Sequence, residues 1–270
     1  MRRRGVTDRL PPILLVGGGK MGSAMLAGWR ERGMSRCVVI DPSGPAHFGD
    51  GIEVVRSAAA VPPDFEPEAV VIAVKPQAAA EAIGPAVPAF GQAVVLSIMA
   101  GKTTRALAGL VGAGRPVVRA MPNTPAAVRQ GITVAFAGPG VDASQRALCH
   151  TLLEAIGAVD WVDDEALIDP VTAVSGSGPA YVFLLAELLE KAAIEQGIPP
   201  ALARRLARIT VSGSGALLAA SPEDAADLRI AVTSPGGTTQ QALGVLMQEW
   251  PGAVSRAVGA ATARSRELGG

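Results

Sequence analysis

The chain has 270 residues, enough for one large domain or two modest ones, and its 24 Lys and Arg residues balance its 24 Asp and Glu residues. This charge balance and an aromatic content of 3% argue against nucleic acid as a partner, because neither a basic surface nor base-stacking side chains are in evidence. The two cysteines have no metal-like or disulfide spacing, and no apolar run reaches the ~18 residues of a membrane span.

The first structural element follows a short basic segment. Residues 1–12 have no apolar centre, so they predict a disordered tail of a cytoplasmic protein and not a signal peptide. Ile13–Val16 is wholly apolar, which indicates a strand buried on both faces, and a helical pattern follows it. Between them, Gly17, Gly19 and Gly22 match the G-x-G-x-x-G pattern of dinucleotide-binding loops, in which glycines allow the turn and the approach of a pyrophosphate. A glycine turn in some other α/β domain is the alternative.

The second predicted strand, Cys37–Ile40, ends at an acidic residue. Asp41 lies about 20 residues beyond the last fingerprint glycine, where an acidic side chain can bond the ribose 2′-OH of NAD. That role would make NADH at least as good a cofactor as NADPH. The residues that follow, through Ser43 and Gly44, are equally typical of a turn that Asp41 itself stabilises. Both roles remain open at this point.

Strands and helices alternate as far as residue 163. Two of the predicted strands stop at polar segments, residues 75–77 and 121–125, which places these segments at the carboxyl edge of the sheet, where α/β proteins bind ligands. The alternation predicts an α/β fold with a doubly wound parallel sheet. The further predicted strands are 52–55, 69–74, 93–98, 116–120, 132–136 and 158–162.

Beyond residue 164 the strand-like runs give way to helical ones. We therefore predict a dinucleotide-binding domain over residues 13–163 and an all-helical domain over residues 164–270. Residues 181–194 are apolar on nearly every face, which predicts a helix that is buried or lies in a subunit interface.

Two glycine-rich segments of this half, residues 172–179 and 233–239, each precede a predicted helix. Backbone amides and hydroxyls at a helix N-terminus form a ready site for an anion, although ordinary helix capping is the alternative for either one. The helical domain has few other polar segments, so the presence of two such segments favours a binding site for a small carboxylate ligand. No Ser-His-Asp order, zinc-binding motif or carboxylate pair accompanies them, so the substrate should need little proton transfer, as an imine does.

With these segments in view, the sequence resembles the pyrroline-5-carboxylate reductases over nearly its whole length. The most specific segments are Val-Lys-Pro-Gln at 74–77, Met-Pro-Asn-Thr-Pro at 121–125, Ser-Gly-Ser-Gly-Pro-Ala-Tyr at 175–181 and Ser-Pro-Gly-Gly-Thr-Thr at 234–239. The resemblance implies a Rossmann domain followed by an all-helical dimerisation domain, a homodimer that in this family often assembles into decamers, and no metal. It also implies reduction of the C=N bond of 1-pyrroline-5-carboxylate to L-proline, the final step of proline biosynthesis, with NADPH or NADH as the cofactor.

A related imine reductase or a hydroxyacid dehydrogenase, acting on another small carboxylate, is the alternative. Hydroxyacid dehydrogenases of this plan usually carry a lysine on the long helix, whereas the first lysine after residue 175 is Lys191, three turns into it.

The fingerprint and the resemblance together imply the site residues. Those expected to bind the cofactor are Val16, Gly17, Gly18, Gly19, Lys20, Met21, Gly22, Asp41, Ser43, Ala73, Val74, Lys75, Pro76, Met99, Ala100 and Asn123. Those expected to bind the substrate are Ser234, Gly236, Gly237, Thr238, Thr239 and Glu223. The expected catalytic hydroxyls are those of Thr239, Ser175 and Thr172, with Thr239 facing the ring nitrogen.

Overall fold

The computed structural model describes residues 10–44 and 47–269. Most of the tail predicted over residues 1–12 lies outside the described residues. Leu10, however, packs into the hydrophobic core with 3% of its surface exposed, and the backbone N–H of Glu68 donates to the Pro12 carbonyl oxygen at 3.0 Å. The folded domain therefore includes residues 10–12, ahead of the predicted start at residue 13.

The described residues of the first half form one eight-stranded sheet with the strand order β3-β2-β1-β4-β5-β6-β7-β8. Every neighbouring pair is parallel except β6 and β7. The predicted α/β class with a doubly wound sheet is thus confirmed. The strands are β1 Ile13–Val16, β2 Cys37–Ile40, β3 Ile52–Val55, β4 Ala69–Ile72, β5 Val94–Ser97, β6 Val117–Met121, β7 Gly131–Ala137 and β8 Gly157–Val162.

Strand β7 departs from the uniformly parallel sheet that the alternation predicts. It runs antiparallel to β6, with Ala120 opposite Ala135. Residues 122–130 connect the two strands and contain only the short 3-10 helix Thr124–Val128. A parallel neighbour requires a crossover of a dozen or more residues, so this connection is long enough only for a reversal.

Helices cover both faces of the sheet. Successive residues of β1 face opposite sides: Leu15 lies in one core cluster and Leu14 in the other. On the Leu15 side, the Trp29 indole N–H donates to the Leu152 carbonyl oxygen at 2.9 Å and joins two helices across the core. The helices are α1 Lys20–Glu31 and α4 Ala143–Glu154 on that side, and α2 Ala79–Ile83 and α3 Thr104–Val111 on the other.

The chain forms two compact units. One comprises the chain up to Gly176 together with the segment from Ala261 onward, and the other is Ser177–Ala260. The helices of the second half are α5 Ile168–Val171, α6 Gly178–Glu195, α7 Pro200–Ala220, α8 Ala225–Ala231 and α9 Thr238–Gly269.

The first compact unit continues beyond β8 to Gly176, and a buried charge cluster holds part of this continuation in place. Arg119 of β6 is 2% exposed and pairs with Glu165 at 3.2 Å and with Asp169 at 3.6 Å. The Ser265 hydroxyl donates to Asp169 at 2.7 Å. A buried guanidinium requires such partners, and they hold residues 165–169 and the end of α9 in the first unit.

The long apolar helix α6 has no buried residue in the single chain. Its Phe183 side chain is 66% exposed, and on α7 only Ala203 and Ala207 are buried, whereas Ile209 is 57% exposed. By length and composition alone, the helical stretch Glu165–Glu195 would also be apolar enough to cross a membrane. An apolar surface of this extent indicates a face that another molecule covers.

Candidate active site

The first unit carries a cleft of about 520 Å³ at the carboxyl ends of β1, β2 and β4. Between β1 and β4 the strand order reverses direction, which is where open α/β sheets bind ligands. Eight residues of the predicted cofactor site line this cleft: Val16, Gly17, Gly19, Asp41, Ser43, Ala73, Val74 and Lys75.

The glycine loop has the geometry that the fingerprint requires. Gly17 has φ +101°, and a Cβ there would approach the Ala73 carbonyl oxygen to 2.8 Å. A Cβ on Gly22 would collide with the Gly17 carbonyl oxygen, so α1 lies close against the loop. Gly19 faces open space and is the N-cap of α1, without a side-chain capping bond. The first amides of α1 are therefore available to an anion such as a pyrophosphate, and the cleft fits a dinucleotide.

Asp41 forms part of the cleft wall with its carboxylate already engaged. One oxygen accepts from the Gly18 amide at 2.7 Å, and the other accepts from the amides of Ser43 at 2.9 Å and Gly44 at 2.6 Å. Only 8% of Asp41 is exposed. The side chain therefore stabilises the turn after β2 and ties this turn to the glycine loop.

Several residues of the same cleft were not predicted from the sequence, and Arg56 is the one with a charge next to Asp41. Arg56 Nη1 donates to the carbonyl oxygens of Asp41 at 3.0 Å and Gly44 at 2.7 Å. The strand register explains this position. Because Ile40 of β2 pairs with Val55 of β3, the residues that follow them, Asp41 and Arg56, lie side by side. The other lining residues not predicted are Ile40, Pro42, Ser57, Ala58, Ala78, Glu81, Ala82 and Pro85.

The remaining predicted cofactor residues do not line this cleft: Gly18, Lys20, Met21, Gly22, Pro76, Met99, Ala100 and Asn123. The Met99 side chain is 2% exposed and packs in the hydrophobic core, and its amide donates to the Ser97 hydroxyl at 3.3 Å. The Asn123 side-chain oxygen accepts from the Ile132 amide at 3.0 Å, which fixes the loop after β6.

The glycine-rich segment 172–179, predicted as a possible anion site before a helix, is itself helical except at Ser177. Thr172–Gly176 forms a π-helical turn that continues α5, and a bend at Ser177 separates it from α6. The Thr172 hydroxyl donates to the Ile168 carbonyl oxygen at 2.7 Å. The Ser175 hydroxyl is buried and has no hydrogen-bond partner within residues 10–44 and 47–269. Single π-helical turns are frequent at functional sites, and a buried polar atom without a partner is a rarity that a ligand would explain.

The second unit carries the predicted substrate loop before α9. The Gly237 amide donates to the Ser234 carbonyl oxygen at 3.0 Å, and the Gly236 amide donates to the Gln240 side-chain oxygen at 2.6 Å. Both glycine amides are therefore used inside the loop. Thr238 and Thr239, in the first turn of α9, keep amides and hydroxyls for which the described part of the chain provides no partner.

Two further residues of the second unit were singled out by sequence. Glu223 lies in the exposed segment between α7 and α8, and its amide donates to the Ser221 hydroxyl at 3.1 Å. Lys191 forms an ion pair with Glu187 at 2.6 Å, and this hydrogen bond raises the pKa of Lys191 above its ordinary value. The Lys191 ammonium group is therefore paired with a carboxylate of its own helix.

Comparison with known proteins relates both halves of the chain to described families. Residues 165–268 match the family model for pyrroline-5-carboxylate reductase dimerisation, and residues 12–101 match that for NADP oxidoreductase coenzyme F420-dependent. Pyrroline-5-carboxylate reductase from Pseudomonas aeruginosa is 38% identical over 268 residues, covering 96% of this chain and 97% of that protein.

Solved structures give the same result. A pyrroline-5-carboxylate reductase from Coxiella burnetii superimposes with a TM-score of 0.88 at 32% identity, covering 97% of this chain and 100% of the other. A Plasmodium falciparum pyrroline carboxylate reductase with NADP bound superimposes with a TM-score of 0.83 at 26% identity, covering 98% and 100% of the two chains.

Proposed function

The chain belongs to the pyrroline-5-carboxylate reductase family and is an NAD(P)H-dependent reductase of the C=N bond of 1-pyrroline-5-carboxylate, and from this premise we propose how its own residues perform the reaction. The product is L-proline, formed in the final step of proline biosynthesis. The observation that carries this function is the length of the match, which spans 97% of the curated relative and therefore both the cofactor-binding and the helical half.

The cofactor cleft fits the nicotinamide dinucleotide. In our proposal the amides at the start of α1, from Lys20 to Gly22, hold the pyrophosphate, and residues 73–75 of the cleft wall border it, with Pro76 next in the same turn. Residues 99–100 and Asn123 lie toward the nicotinamide end. When bound, the reduced cofactor supplies a hydride; the chain itself binds and orients the reactants and excludes water.

The substrate carboxylate is held at the start of α9. The amides of Thr238 and Thr239 are at the positive end of this helix, which favours an anion. The Thr239 hydroxyl faces the ring nitrogen, which gains one proton as the imine carbon gains a hydride. Ser175, with its unpartnered hydroxyl, and Thr172 complete the proposed catalytic hydroxyls, and Ser234, Gly236, Gly237 and Glu223 complete the substrate site.

Self-association follows from the dimerisation domain. We propose that the functional assembly is a homodimer formed through α6 and α7, whose exposed apolar faces require cover, with a decamer as the larger assembly to be tested. Neither nucleic acid nor a membrane is a proposed partner, because the charges balance and self-association accounts for the apolar helix. We place the protein in the cytoplasm.

Steady-state kinetics test the proposed residue roles. Loss of one neutral hydrogen bond costs about 1–2 kcal/mol, so Thr239→Ala should lower kcat/KM for 1-pyrroline-5-carboxylate by roughly 5- to 30-fold. The matched control is Thr151→Ala on α4, whose hydroxyl donates only to its own helix. The assay should include the six-membered cyclic imine carboxylate, because a preference for it would identify a related imine reductase. Unchanged kinetics in Thr239→Ala would remove this residue from the site.

A further inference from the structure

The structure provides a basis for choosing between NADPH and NADH, the two cofactors that the proposed function allows. An acidic side chain after the second strand normally favours NADH, because it bonds the ribose 2′-OH and repels the 2′-phosphate of NADPH. In this chain the Asp41 carboxylate already accepts three backbone amides, from Gly18, Ser43 and Gly44. Both of its oxygens therefore already accept hydrogen bonds within the loop, and only 8% of the residue is exposed.

Arg56 presents the opposite charge at the same end of the cleft. Its Nη1 is anchored on the carbonyl oxygens of Asp41 and Gly44, which fixes the guanidinium beside the turn after β2. Its Nε and Nη2 have no protein partner in the part of the chain that the structure describes, and the side chain is exposed. An anchored guanidinium with free N–H groups matches the geometry of a phosphate.

The other charged groups of the cleft do not cancel this cation. Lys75 and Glu81 also line it, one of each sign, and within the described residues the contacts of Arg56 are to backbone carbonyls and not to Glu81. Ser43 and Ser57 lie in the same lining. The Ser43 hydroxyl makes only a long bond of 3.5 Å, to the Asp41 carboxylate, so both hydroxyls can donate to a phosphate oxygen. The adenosine end of the cleft therefore offers one anchored cation and two hydroxyls.

We propose that Arg56 determines cofactor specificity by binding the 2′-phosphate of NADPH, with Ser43 and Ser57 beside it. Asp41 then holds the loop in shape and does not select NADH. This inference rests on the proposed cofactor cleft, but it does not depend on which imine is reduced.

Calorimetry with cofactor fragments tests the proposal without the reaction. Adenosine 2′,5′-bisphosphate and 5′-AMP differ only in the 2′-phosphate, so the wild-type chain should bind the bisphosphate at least roughly 10-fold more tightly. Arg56→Gln should weaken binding of the bisphosphate by about 10- to 100-fold and change 5′-AMP binding by less than about 2-fold. Arg56→Lys keeps the charge but loses the planar fork, so its affinity should lie between the two.

Arg105→Gln provides the matched control, because Arg105 is an exposed arginine on α3 outside this cleft. It should leave both affinities unchanged, which separates a local contact from a change in net charge. Equal affinity of the wild type for both fragments would overturn the proposal. Equal weakening of both fragments in Arg56→Gln would overturn it too, since Arg56 would then only support the loop. Failure of imine reduction with the fragment preference intact would contradict the proposed function instead.

Discussion

Cys37 and Cys149 are the only cysteines of the chain, and both are buried in the hydrophobic core. Burial raises the pKa of Cys149 to about 12 and also raises that of Cys37, because an apolar environment disfavours the thiolate. Since the thiolate is the reactive form, we expect neither residue to react with iodoacetamide at about pH 8 in the folded protein and both to react after unfolding. Mass spectrometry measures this, and labelling of either thiol in the native chain would contradict the burial.

Because burial raises the pKa of the thiols, the direction in which stability changes with pH can be predicted. Above the ordinary thiol value of 9.0, the unfolded chain loses thiol protons that the folded chain retains. The free energy of unfolding should therefore fall as the pH rises from 9 toward 12. Urea unfolding of the wild type and of Cys149→Ala at increasing pH isolates the contribution of Cys149, because the variant should show the weaker dependence.

At the scale of a single element, the loop before α9 is organised by Gly236. Gly236 has φ +69°, whereas Gly237 does not lie in the left-handed region and a Cβ on it would approach the Ser234 carbonyl oxygen to 3.1 Å. A Cβ on Gly236 would meet nothing within 4 Å, so Gly236→Ala introduces backbone strain without a steric clash. Gly236 is therefore the residue of this loop whose backbone conformation favours glycine.

We expect Gly236→Ala to raise the KM for the imine. Left-handed backbone costs a non-glycine residue about 1–2 kcal/mol, which corresponds to roughly 5- to 30-fold. Cofactor affinity should stay constant, because the loop belongs to the second compact unit and the cleft to the first. Gly109→Ala, at an exposed and unobstructed position of α3, is the control and should leave KM unchanged. A normal KM in Gly236→Ala would show that the substrate does not depend on this turn.

At the scale of the whole molecule, the helical unit exposes apolar surface that a single chain leaves uncovered. Phe183→Glu on α6 places a charge where 66% of an aromatic side chain is exposed in the single chain. Within the proposed dimer that charge would be buried without a partner, so the assembly should dissociate and imine reduction should be lost. Light scattering and activity measure this, and binding of adenosine 2′,5′-bisphosphate should persist.

Val128→Glu is the control for assembly. Val128 is 68% exposed, but it lies outside residues 165–268, which match the dimerisation family. This variant should keep the wild-type mass in solution. A wild-type chain that is monomeric and fully active at assay concentration would refute the dimer.

The sequence alone was sufficient to predict the cofactor-binding fold. Strand β1, the glycine loop and the start of α1 follow from apolar runs and glycines within one short segment, and the structure has them where they were predicted. Such elements can be predicted from the sequence because the hydrogen bonds and the pattern of burial that define them involve residues close together in the chain. The substrate loop was found by its glycines and hydroxyls before a predicted helix, the resemblance to a family supplied the roles of its residues, and those roles remain a prediction.

Only the tertiary structure decided which distant groups meet. The buried charge cluster brings Arg119 of β6 together with Glu165 and Asp169, about 45 to 50 positions later in the chain. The sequence left Asp41 open between a ribose ligand and a turn residue, and the structure adds a contact that neither role implies: its carboxylate accepts from the amide of Gly18, 23 positions away. Arg56 reaches the cleft only through the pairing of β2 with β3. Each of these contacts joins segments that are distant in the chain. Periodicity and composition therefore cannot predict the contact, because it depends on the register with which the strands pair.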